Sequence, residues 1–119
     1  MIMLSGIIIH GNHSGKRYGF PTANVEVIHK KISLPPGVYA GYAVLNKKKY
    51  GAAIAIPPKL KMVEVHLLDY IGEDCYGQYL EIEPVQKVSE MERFENEKEL
   101  IKKISEDIVK VRNVLDITN

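Results

Sequence analysis

Residues 15–24 read Gly-Lys-Arg-Tyr-Gly-Phe-Pro-Thr-Ala-Asn, a mixture suited to a phosphorylated, metal-bound ligand. Lys16 and Arg17 supply positive charge, and glycine-rich backbone can turn N–H groups towards phosphate. Gly11 and Gly15 bracket the turn-prone Asn12-His13-Ser14, and Gly19 follows before Pro21. The Gly-x-x-x-x-Gly-Lys-Ser/Thr spacing of a P-loop is absent, and no helix follows closely enough for a dinucleotide fingerprint. Phosphate contacts would therefore come from a β-loop. A glycine-rich hairpin with solvated cations is the plain structural alternative.

Thr22 and Asn24 extend the case. In an extended segment alternate side chains share a face, so these two point the same way. Both offer neutral oxygens, which suit Mg²⁺ when phosphates bring the negative charge. A pair of polar residues capping a turn would look the same.

Glu64 lies in an alternating stretch, Met62–Tyr70. As a strand it places Glu64, His66 and Leu68 on one face and Val63, Val65 and Leu67 on the other. If the first face lines a barrel mouth, Glu64 is a candidate general base with a tuned pKa, and His66 its neighbour. The alternative is a solvent-facing strand, where glutamate is common. The loop from Tyr70 to Gly77 carries Tyr70, Gly72, Tyr76 and Gly77 around Glu73 and Asp74. It reads either as a flap over an aromatic ligand or as an ordinary hairpin. His10, His13 and His29 lack metal-ligand spacing, and Met91 and Phe94 read as core residues just before a helix.

Composition narrows the class. The chain has 119 residues, 45% hydrophobic and 26% charged, with net charge +1. That is one ordinary domain with enough chain for a core. The near-neutral charge gives no broad attraction to nucleic acid or membrane, and neither partner is expected. Lys47–Lys49 and the pair Lys59 and Lys61 read as solvated hairpin caps. The single cysteine, Cys75, excludes an internal disulfide and fits a reducing, cytoplasmic location. Met1–Ile9 is apolar but lacks a basic start, so no signal peptide is expected.

The elements that must hold these residues are short. Ile7–His10, Asn24–Ile28, Val38–Leu45, Tyr50–Ile56, Met62–Tyr70 and Tyr79–Val88 read as strands separated by turn residues. Pro35-Pro36-Gly37 and Asn46–Lys49 are turns. From Glu97 to Leu115 the period changes: Leu100, Ile101, Ile104, Ile108, Val111 and Leu115 form one helical stripe. Asn96 with Glu99 resembles a capping box at its start. The pattern predicts a mainly β fold, a small antiparallel barrel with a C-terminal helix over its side or one end.

In this order the segments resemble the riboflavin kinase (flavokinase) family, which also forms the C-terminal half of bacterial bifunctional FAD synthetases. The matching blocks are Gly6–Gly11, Gly15–Asn24, Pro36–Ala40, Val63–Asp69 and Tyr76-Gly77, then Phe94, Glu99–Ile101, Ile104, Asp107 and Arg112. The resemblance runs nearly end to end, and Gly19–Asn24 is its most specific part. It implies a six-stranded Greek-key barrel over about residues 1–90 and a helix over about 97–115, in one domain spanning 1–119. It also implies transfer of the ATP γ-phosphate to the riboflavin 5′-hydroxyl, giving FMN and ADP. By position, Thr22 and Asn24 would ligate Mg²⁺, and Gly11, Gly15, Lys16, Arg17, Gly19 and Pro21 would join them in binding nucleotide. Glu64 would accept the hydroxyl proton, and Tyr76, Met91, Phe94 and Leu100 would flank the flavin. Ser89 stands where the family commonly has an arginine. A monomer is expected, and no FAD synthesis, since the length leaves no room for an adenylyltransferase domain. A non-catalytic flavin- or nucleotide-binding module of the same fold is the rival expectation.

Overall fold

Strict alternation of apolar residues turns most of this chain into strands with one inward and one outward face. The computed structural model describes residues 4–9, 22–30, 33–70, 75–92 and 94–117. Its strands are β1 (Leu4–Ile9), β2 (Ala23–Lys30), β3 (Gly37–Leu45), β4 (Lys48–Ile56), β5 (Met62–Leu67) and β6 (Tyr79–Ser89). They close into an antiparallel barrel in the order β1-β2-β5-β4-β3-β6. The hairpins β3–β4 and β4–β5 place β5 beside β2, a Greek-key crossing. Closure leaves no open sheet edge, which a short chain could not easily cover.

Inward residues fill the barrel. Leu4, Val25, Ile54, Ile56, Val63, Val65, Leu80 and Ile82 are buried almost completely. Tyr39 is buried too, and its hydroxyl donates to the Pro35 carbonyl at 2.7 Å, satisfying its polar end within the Pro35–Gly37 turn. Strands β1 and β2 approach closely at a bulge between Ser5 and Gly6, where any Cβ on Gly6 would run into the Glu26 carbonyl. The β3–β4 loop is tighter than the sequence predicts. Asn46 and Lys47 both adopt positive φ, 50° and 69°, giving a two-residue turn that pairs Leu45 with Lys48. The cations there stay at the surface, with Lys49 over the Tyr42 ring and Lys48 over Tyr50.

Helix α1 spans Glu97–Leu115, with the Asn96 side chain accepting from the Glu99 N–H at 2.8 Å, as the Asn96–Glu99 spacing predicts. It ends at Asp116 in the left-handed region. The helix lies along the side of the barrel against β3, β4 and β6. A second, smaller apolar cluster forms there from Ala40, Leu68 and Val111. Gly51 makes room for its C-terminal end: a Cβ at that position would stand 2.5 Å from Ile117 Cδ1. Arg112 also donates from both terminal guanidinium nitrogens to Asp69, at 2.8 and 3.3 Å. These bonds hold the Asp69 carboxyl below the usual carboxylate range. Asp69 lies two residues past the end of β5, so the helix is tied close to the strand that carries Glu64. Among the described residues, no helix is long and apolar enough to cross a membrane.

Candidate active site

The sheet order creates the site. Because β2 lies beside β5, Asn24 is directly opposite Glu64. Residues so paired share a face, with Cβ atoms about 4.5–5.5 Å apart. Their neighbours Val25 and Val63 form the next pair and point into the core, so Asn24 and Glu64 point outward. On its other side Glu64 faces Ala55, and His66 faces Ala53. Alanines at these outward positions leave a hollow that larger side chains would fill.

Helix α1 bounds that hollow. The resulting pocket, of about 280 Å³, is lined by Thr22, Val38, Ala53, Ala55, Glu64, His66, Leu100, Ile104, Asp107 and Ile108. Barrel and helix thus supply its two walls. Of the two placements the sequence leaves open for the face of Glu64, a barrel mouth and a solvent-facing strand, the structure gives neither in pure form. That face belongs to the outer wall, because the barrel interior is already filled by valine, leucine and isoleucine. Leu68, on the same side, goes under the helix rather than to solvent.

The Glu64 carboxyl is perturbed by its surroundings. The side chain keeps contact with solvent, yet the pocket crowds its carboxyl, and this burial raises its pKa above the ordinary glutamate range. Asn24 is 7% exposed and Thr22 partly buried, on the outer side of the start of β2. The described residues include no group of three His, Cys, Asp or Glu suited to a metal. Thr22 and Asn24 offer neutral oxygens only, which fit a hard cation whose charge is balanced by a ligand's phosphates.

The expected site residues divide into three groups. Thr22, Glu64 and Leu100 line one pocket, with Asn24 next to Glu64. Tyr76, Met91 and Phe94 are not brought to it: Tyr76 packs against the barrel core, Met91 is exposed, and Phe94 borders a separate groove with Glu92 and Lys102. Gly11, Gly15, Lys16, Arg17, Gly19 and Pro21 lie outside the described residues. Asp107 is a pocket residue to which the residue types and spacing assign no role. Its signal is a carboxylate among the apolar residues of the helical stripe. Ser89, at the end of β6, accepts a hydrogen bond from Lys103 Nζ of the helix at 2.8 Å.

Comparison with known proteins agrees with this architecture. The family model for Flavokinase, described as riboflavin kinase, matches residues 1–115. A bifunctional riboflavin kinase/FMN adenylyltransferase of Buchnera aphidicola is 37% identical over 96% of this chain and 39% of its own length. A Bacillus subtilis protein named RNA-binding riboflavin kinase RibR is 33% identical over 91% of this chain and 49% of its own. The chain thus spans less than half the length of either curated relative. The solved riboflavin kinase of Trypanosoma brucei shares the fold, with a TM-score of 0.69 at 22% identity over 97% of this chain and 77% of that one. With the family model spanning nearly all of the sequence, the chain belongs to the riboflavin kinase family.

Proposed function

We propose that this pocket transfers the γ-phosphate of ATP to the 5′-hydroxyl of riboflavin, giving FMN and ADP. The observation that carries the reading is the register that sets Asn24 opposite Glu64 on the outer wall, beside a pocket with an alanine floor and an apolar helical wall. Ala53, Ala55, Leu100 and Ile104 suit a flat aromatic ring. Glu64 suits the ribityl end, where it takes the hydroxyl proton as the new O–P bond forms and the bond to the ADP oxygen breaks. Thr22 and Asn24 would hold Mg²⁺, which when bound supplies charge neutralisation to the phosphates. The segment from Gly11 to Gly19, with Lys16, Arg17 and Pro21, is assigned to the nucleotide phosphates from its residue types and the family match. The proposed protein is a cytoplasmic monomer that needs no nucleic-acid partner.

Purified protein incubated with riboflavin, Mg²⁺ and each of ATP, CTP and GTP tests the reading. Chromatography should show FMN with ATP. Flavin binding without FMN from any nucleotide would instead favour a non-catalytic binding module.

The alanine floor makes its own prediction. Ala55→Leu places an isobutyl group beside Glu64 in the pocket while the barrel interior is untouched. Overpacking of this kind costs about 1–3 kcal/mol wherever the group must be displaced, so riboflavin affinity should fall about tenfold or more. Fluorescence titration measures it, and an unaltered Kd would move the flavin out of this pocket.

A further inference from the structure

Helix α1 is anchored unevenly along its length. Its second half carries the buried Val111, with Ile108, Val114 and Leu115 packed around Ala40 and Leu68, and the Arg112 bonds to Asp69. In its first half, Glu97–Ile104, none of the described residues is fully buried. Leu100 and Ile104 face the pocket, so the atoms that would pack against them are missing and they grip the barrel weakly. A polar connection crosses to the barrel at this place. Lys103 Nζ donates to Ser89 Oγ at 2.8 Å and also bonds Asp107 Oδ2, one turn along the helix. Lys103 and Asp107 are both largely buried. The carboxylate neutralises the ammonium and restrains a long side chain, which leaves a charged donor aimed at Ser89. Ser89 ends β6 opposite Val38, a residue of the pocket lining, so the connection lands at the pocket rim.

Resting on the flavin-phosphorylating reading above, we propose that Ser89 and Lys103 form a latch that holds the first half of α1 at the distance from Ala53 and Ala55 that riboflavin requires. Neither Ser89 nor Lys103 lines the pocket, so they act through Leu100 and Ile104. They are positioning residues and take no part in moving the phosphoryl group. Without the latch the first half of α1 spends time away from the barrel, and the apparent flavin affinity falls with the fraction of molecules still closed. Thr22 and Asn24 lie at the start of β2, whereas α1 packs on β3, β4 and β6. Binding of the metal-nucleotide complex is therefore independent of the latch.

The test uses Ser89→Val and Ser89→Thr in the full chain, two side chains of one shape that differ in the hydroxyl. Both leave the Lys103–Asp107 pair in place. By fluorescence titration, Ser89→Val should raise the riboflavin Kd about three- to tenfold, the worth of one half-buried hydrogen bond, and Ser89→Thr should keep the wild-type value. MgADP titrations should agree among all three proteins. In turnover, Ser89→Val should raise the KM for riboflavin and retain kcat at saturation. Ser89→Ala should match the valine variant, which keeps the test open should a branched side chain fail to fold at the end of β6. An unchanged riboflavin Kd without the hydroxyl, an equal loss in Ser89→Thr, or a parallel loss of MgADP affinity would overturn the latch while leaving the kinase reading intact. Wild type that neither binds riboflavin nor makes FMN would remove the kinase reading and this inference together.

Discussion

Glu64→Gln should lower kcat by about 10²–10⁴-fold, the usual worth of a positioned proton acceptor. Glutamine keeps the size and hydrogen-bonding capacity of the side chain but cannot take a proton from the ribityl hydroxyl at neutral pH. Glu64 belongs to the outer wall, and its pairing with Asn24 and Ala55 uses the backbone, so the barrel should fold normally. Riboflavin binding should survive for the same reason. The pH profile separates a base from a mere contact. Burial raises the Glu64 pKa, so its proton-accepting form is lost at higher pH than in an exposed glutamate. Wild-type kcat/KM should therefore fall, as pH is lowered, through a midpoint above the ordinary glutamate range, with a plateau on the alkaline side. That acid limb should be absent from the residual activity of the glutamine variant. Equal FMN production by the two proteins, or an identical acid limb in both, would remove Glu64 as the base.

Thr22→Val should weaken MgADP binding by about ten- to a hundredfold, the range for losing one hydrogen bond or ligand contact to a charged group. Valine matches threonine in shape and favours extended backbone, so the start of β2 should keep its path. The loss should be specific to the metal-nucleotide complex. Titration with ADP in EDTA, and with riboflavin alone, should give wild-type values. An unchanged MgADP isotherm would contradict the metal assignment. A uniform loss across all three titrations would point to a damaged pocket rather than a missing oxygen.

Local pattern was enough to read the strands, the helix and its Asn96 cap, because alternation and the 3.6-residue period are properties of neighbouring residues. It also showed that Thr22 and Asn24 share a side and that Glu64 and His66 share another. It could not show that those two sides are one wall. That depends on β2 lying beside β5, a pairing made across the intervening β3–β4 hairpin. For the same reason the sequence leaves the face of Glu64 open between a barrel mouth and solvent. Alternation distinguishes two faces but does not say what covers the polar one. The apolar stripe announced Leu100 and Ile104 as buried residues, yet only the docking of α1 made them a wall of the pocket. Tyr76 and Met91 attracted attention as ligand-like side chains near the helix or loop. The barrel core holds the first, and the second stays at the surface.

The two faces of β5 have an implication for how the chain can fail. Val63 and Val65 fill the core while Glu64, between them, faces the pocket. A slip of β5 by one residue against β2 and β4 would turn the carboxylate inward and both valines outward. Such a chain would lose its interior and its proposed proton acceptor in one step. A compact but inert isomer is therefore hard to populate by misregistration. In a refolding mixture the catalytic titre should track the folded fraction, so activity itself can serve as the count of correctly closed barrels.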